Sequence, residues 1–89
     1  MSGLYVSGVL VHTRPEHLDQ LHGQLAAVPG VEVQATTSEG RLITVIERQS
    51  DAELADAFKH IQNTRGVLSA SLVYHYSDRS HALDEEVTS

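Results

Sequence analysis

The chain predicts an α+β domain in which a four-stranded antiparallel sheet carries two helices on one face. Three observations carry that expectation. Short runs of alternating polarity occur four times, and two apolar stripes at helical spacing lie between them. Proline or glycine punctuates the junctions at Pro15, Pro29-Gly30, Gly40 and Gly66. The resulting order is strand, helix, strand, strand, helix, strand.

Leu4 to His12 reads as the first strand. Thr13-Arg-Pro-Glu16 then reads as a capping box, with Pro15 in the first turn where its missing donor costs nothing. Leu18, Leu21, Leu25 and Val28 make one apolar helical stripe, which Pro29-Gly30 stops. Val31, Val33 and Ala35 alternate with Glu32, Gln34 and Thr36 as a half-buried strand. Thr37 to Gly40 is a turn, and Arg41 to Glu47 is the third strand. Ser50-Asp-Ala-Glu53 is a second capping box, opening a helix with Leu54, Ala55, Phe58 and Ile61 on one face. Gly66 ends it. Val67 to Tyr76 alternates again and forms the fourth strand. This order fits the split βαβ, ferredoxin-like sandwich (βαββαβ), whose sheet keeps one face free of helices.

Register predicts which residues face away from the helices. A four-residue turn pairs Thr36 with Arg41, so Ala35 opposes Leu42, Val33 opposes Thr44 and Val31 opposes Ile46. Opposed residues share a face, and that set is core. Glu32, Gln34, Ile43, Val45 and Glu47 then belong to the open face. On the first strand alternation offers either Val6, Gly8, Leu10 and His12 or Tyr5, Ser7, Val9 and Val11, and the first set is preferred because it contains Gly8 and ends on a polar residue. On the last strand strict alternation assigns Ser69, Ser71, Val73 and His75. The expected surface is an apolar patch of Val6, Leu10, Ile43, Val45 and Val73 with an acidic rim of Glu32 and Glu47. Such a patch calls for a partner.

Composition narrows the partner. The 89 residues make one domain, expected at residues 1–76, followed by an acidic tail at 77–89 that is expected to be disordered. Formal net charge is −6, which favours a basic ligand and disfavours a polyanion. Asp78, Asp84, Glu85 and Glu86 against Arg79 give the tail a net charge of −3. The strands expected at the centre of the sheet carry no stacking aromatics, so nucleic acid is set aside. Cysteine is absent, which excludes thiolate chemistry and suits a reducing cytoplasm. No run of apolar residues reaches a membrane span, and Met-Ser-Gly-Leu-Tyr lacks the features of a signal peptide. A cytoplasmic location is the expectation.

The constellations that would carry chemistry are thin. His17 and His22 are five apart on a helix, about 140° around it, and cannot chelate one ion together. The other histidines are dispersed, so no metal or cofactor is expected. Glu32 and Glu47 are expected near each other across the hairpin, as solvated edge carboxylates. Ser71 and His75 lie four apart on one strand, too far to bond directly. No glycine-rich phosphate loop and no catalytic residue is assigned.

Four segments carry a resemblance. They are Val6-Ser-Gly-Val-Leu-Val11, Pro29-Gly-Val-Glu-Val33, Gly40-Arg-Leu-Ile-Thr-Val-Ile-Glu47 and Gly66-Val-Leu-Ser-Ala-Ser-Leu-Val-Tyr-His75. In order and spacing the chain resembles the NapD family from about Tyr5 to Tyr76. The resemblance implies a ferredoxin-like chaperone without catalytic activity or cofactor. It implies a partner too: the twin-arginine signal peptide of the catalytic subunit of the periplasmic nitrate reductase. Binding would hold back export until cofactor loading is complete. The peptide-binding residues expected on the open face are Val6, Gly8, Leu10, His12, Glu32, Ile43, Val45, Glu47, Ser69, Ser71, Val73 and His75. A weak homodimer through that same face is a further expected partnership. Two other classes share the element order. An amino-acid-sensing regulatory module would need a glycine-containing ligand loop, which His12-Thr-Arg-Pro-Glu16 lacks. An acylphosphatase-like enzyme needs an asparagine beside its arginine cradle, and Asn63, the one asparagine, falls late in the second helix.

Overall fold

The computed structural model describes residues 4–77. The chain runs β1 (Tyr5–His12), a 3₁₀ turn (Pro15–His17), α1 (Leu18–Ala26), β2 (Val31–Thr36), β3 (Arg41–Arg48), α2 (Asp51–Gln62) and β4 (Ser69–Ser77). The four strands form one antiparallel sheet in the order β2-β3-β1-β4. The ferredoxin-like α+β sandwich expected from the element order is thus the observed fold. The expected disorder of the acidic tail concerns residues that, apart from Ser77, lie outside the described part of the chain.

Both helices bury their stripes on the same side of the sheet. Leu21 and Leu25 of α1 and Leu54, Ala57 and Ile61 of α2 meet Val9, Val11, Val31, Leu42 and Ile46 of the strands. Ala57, one turn before Ile61, sits in this core, whereas Ala55 is exposed and does not belong to the stripe. Burying a side chain of leucine or isoleucine size is worth about 1.5–3 kcal/mol. This layer is therefore what makes so short a chain fold.

The two expected capping boxes come out differently. At α2 the Glu53 amide donates to Ser50 Oγ at 3.1 Å, as the sequence predicts. At α1 the Thr13 hydroxyl instead donates to the carbonyl of Gly66 at 2.6 Å. Arg14 caps the 3₁₀ turn without a side-chain bond, and regular helix starts only at Leu18. Thr13 is buried beneath the α2–β4 loop, where a carbonyl needs a donor more than a solvated helix end does. The same junction is clamped from the hairpin side, since the Thr13 amide donates to the Gly40 carbonyl at 2.7 Å. Gly40 has φ of +100°, and a Cβ there would run into the Thr13 carbonyl, so glycine alone fits.

Two β-bulges set the registers. Between Val33 and Ala35 the β2–β3 pairing shifts, so Ala35 opposes Ile43 and Thr36 opposes Leu42. The expected Ala35–Leu42 and Thr36–Arg41 pairs are therefore corrected, while Val31–Ile46 and Val33–Thr44 stand. The β1–β4 pairing shifts between Gly8 and Val9: Gly8 opposes Tyr74, Val9 opposes Leu72, and Val73 is the extra residue. A bulge inserts one residue and so inverts the alternation beyond it.

Candidate functional site: the open sheet face

The helix-free face is laid out in four cross-strand rows. Arg41, His12 and Ser69 form the row at one end. Next come Ala35, Ile43, Leu10 and Ser71, then Glu32, Val45, Gly8 and Tyr74. Glu47, Val6 and Tyr76 close the other end. Val6 and Val45 have low exposure yet lie outside the helix-side core. They form the floor of this face, with Leu10 half-buried and Ile43 exposed beside them.

Of the twelve residues expected to share this face, ten do: Val6, Gly8, Leu10, His12, Glu32, Ile43, Val45, Glu47, Ser69 and Ser71. Two are corrected. Val73 occupies the bulge on the outer edge strand, 64% exposed, and does not extend the patch. His75 opposes Ser7 and turns to the helix side. The bulge puts Tyr74 and Tyr76 on the open face in their place, where strict alternation from Ser69 would have turned them inward.

Gly8 explains how Tyr74 lies. A Cβ at Gly8 would collide with the Tyr74 ring, so the ring occupies the space above the glycine backbone. An aromatic ring that covers a strand glycine from the neighbouring strand is a recognised pairing device. The Tyr76 ring stacks beside it, centroids 5.9 Å apart and planes 17° apart. Both rings stay more than two-fifths exposed. Stacked rings with a free π face attract cations and apolar groups alike.

The two ends of the face differ electrostatically. At the first, Arg41 Nε donates to His12 Nε2 at 3.3 Å. The ring's other nitrogen then carries the proton and lies 3.4 Å from Ser69 Oγ. Arg41 is also paired with Glu39 at 2.7 Å. At the other end Glu32 and Glu47 line a shallow cleft of about 230 Å³ with Val45, Val31 and Gly30. Neither carboxylate has an ion-pair partner among the described residues. Arg48, next in sequence to Glu47, donates to the backbone carbonyls of Pro29 and Glu47 instead.

His75 joins a different cluster. Its Nε2 lies 3.1 Å from Asp51 Oδ1 and its Nδ1 lies 3.1 Å from Ser7 Oγ. In the tautomer whose Nε2–H donates to the carboxylate, Nδ1 accepts from the Ser7 hydroxyl. Serine, histidine and aspartate in a chain suggest a nucleophile, but the arrangement argues otherwise. Ser7 is 2% exposed where it lines the neighbouring cleft, so little of it is open to an electrophile. The ring nitrogens are also used in the reverse sense to that of a serine hydrolase. The cluster ties β1, β4 and α2 together at the mouth of a cleft of about 380 Å³ lined by Leu54, Ala55, Phe58 and Leu72. Sequence reasoning weighed Ser71 with His75 and missed Ser7, which is 68 residues away. Among the described residues no three histidine or acidic side chains gather as for a metal ion. No helix there is long and apolar enough to cross a membrane.

A two-layer sandwich with one face uncovered by the described residues, patterned with apolar, aromatic and acidic groups, defines a small ferredoxin-like α+β domain. The family model described as NapD protein matches residues 4–79, and the chain belongs to the NapD family. Chaperone NapD of Escherichia coli K12 is 34% identical over 74 residues, covering 82% of this chain and 85% of that protein. Chaperone NapD of Paracoccus pantotrophus is 32% identical over 71 residues, 80% of this chain and 62% of its own length. The solution structure of the E. coli Tat proofreading chaperone NapD superposes with a TM-score of 0.77 at 34% identity, covering 82% of this chain and 78% of that one. The protein is a chaperone and not an enzyme.

Proposed function

We propose that this chaperone binds the twin-arginine signal peptide of the catalytic subunit of the periplasmic nitrate reductase on its open sheet face. Acting in the cytoplasm, it holds back export until the subunit's cofactors are loaded. The observation that carries the reading is the bare face itself, with an apolar floor of Val6, Val45, Leu10 and Ile43 beside the unpaired carboxylates of Glu32 and Glu47. A twin-arginine leader is a basic segment followed by an apolar one. Its chemistry complements that face on both counts. The likeness to a Tat proofreading chaperone supports the same partner.

The test is titration of the protein with a synthetic leader of that subunit, followed by calorimetry and by amide NMR. Binding should be measurable and should weaken when both leader arginines are replaced. Shift changes should gather on Val6, Gly8, Leu10, Ile43, Val45 and Ser71, with Leu21 and Leu54 little moved. Absence of binding, or changes centred on the outer surfaces of α1 and α2, would refute the reading. Free amino acids in a parallel titration should leave the spectrum unchanged.

A further inference from the structure

We propose that the open face is polarised and fixes the direction in which the leader lies on it. The guanidinium groups sit at the end formed by Glu32, Glu47, Tyr74 and Tyr76. The apolar stretch runs across Leu10 and Ile43 toward His12 and Arg41. This inference rests on the leader-binding reading above and adds the orientation of the bound chain.

The argument is one of competing ends. An arginine side chain is amphipathic: it stacks its flat guanidinium on an aromatic ring and donates to carboxylates in a fork. Both partners occur together at one end. Tyr76 and Glu47 flank Val6 in one row, and Tyr74 and Glu32 flank Val45 and Gly8 in the next. With neighbouring strands about 4.8 Å apart, Tyr76 stands two strands from Glu47 in its row, and the Tyr74 ring, lying over Gly8, stands two strands from Glu32 in its own. Two neighbouring rows thus each offer a ring and a carboxylate to a guanidinium at this end. The opposite end offers neither. Arg41 is cationic there, and His12 Nε2 already accepts the hydrogen bond of Arg41 Nε. The carboxylate next to Arg41, Glu39, is paired with it at 2.7 Å. A leader lying the other way would set its arginines against Arg41 and its apolar stretch against Glu32 and Glu47. From Val6 to His12 the face measures about 20 Å at roughly 3.4 Å per strand residue, enough to separate the two parts of the leader.

The direction is read with the full chain, ¹⁵N-labelled, and a synthetic twin-arginine leader carrying one nitroxide. A nitroxide just ahead of the arginines should broaden Val6, Glu47 and Tyr76. A nitroxide after the apolar stretch should broaden His12, Arg41 and Ser69. The reversed pattern, or equal broadening at both ends, would overturn the orientation while leaving leader binding intact. Broadening confined to the helices, or none with saturating leader, would overturn the binding reading itself. As a second measurement, Glu47→Gln and Tyr76→Ala should each lower leader affinity about two- to fivefold, the range of exposed ion pairs and cation–π contacts. With a leader whose arginines are replaced by glutamine, both losses should vanish. Losses that persist would overturn the assignment of the guanidinium end.

Discussion

Thr44 is the residue at which this core is imperfect. It is fully buried on the helix side of β3, and its hydroxyl has no hydrogen-bond partner among the described residues. An unpaired buried hydroxyl loses its water and gains nothing in return. Thr44→Val keeps the branched shape and removes the polar atom, so it should stabilise the fold by about 1 kcal/mol. Denaturant unfolding with an unchanged slope and a raised midpoint is the expected result. Gly8 poses the opposite case. Its φ is not positive, so alanine is sterically allowed for the backbone itself. The added Cβ meets only the Tyr74 ring, a side chain that moves. Gly8→Ala should therefore change stability by no more than about 1 kcal/mol. The displaced ring should shift its NMR resonances, and leader affinity should fall about two- to fivefold as the stacked platform breaks. Unaltered Tyr74 resonances would contradict this account of the glycine.

Among the elements, β4 does the most and is the least regular. It is an edge strand whose first part, Ser69 to Leu72, alternates as its sequence suggests. The bulge at Val73 then turns Tyr74 and Tyr76 to the open face and His75 to Ser7 and Asp51. One inserted residue thus supplies both the aromatic platform and a tie to α2. Ser71 lies before the bulge, exposed and opposite Leu10. Ser71→Arg should leave folding within about 0.5 kcal/mol, as expected of an exposed strand position. Leader binding should drop sharply, because a bulky cation then stands beside the apolar floor and repels the leader arginines. Circular dichroism and calorimetry on the same sample separate the two effects. A folded variant that binds normally would remove the open face from consideration.

At the scale of the whole molecule, charge and layering act together. One layer seals the helices onto the sheet, and the other side of the sheet carries no helix among the described residues. A formal charge of −6 attracts a cationic leader from a distance. Exposed carboxylates such as Glu32 and Glu47 are screened over about 8 Å at physiological salt. Affinity for the leader should accordingly fall as sodium chloride rises from 50 to 500 mM, through slower association first. Calorimetry and stopped-flow mixing check this. A salt-independent affinity would mean that the apolar floor alone holds the peptide.

The element order, most of both helical stripes and the alternation along β1 and β3 were legible in the sequence, for a physical reason. Periods of two and of 3.6 are local properties, and Gly8, Thr44 or Leu54 takes its side from its immediate neighbours. The Ser50 cap was legible on the same ground, being closed within four residues. The Thr13 cap was not, because its hydroxyl had a competing partner at Gly66, 53 residues away. The bulge at Val73 was equally hidden. Leu72, Val73 and Tyr74 are all apolar, so hydropathy alone fits either face, and nothing in the strand marks where the count slips. What decides it is non-local. Ser7 and Asp51 hold His75 inward, and Gly8 leaves the hollow that receives the Tyr74 ring. Local periodicity thus determined that this chain has a bare apolar face with acidic edges. Only the packing of β4 against β1 and α2 decided that two tyrosines stand on it.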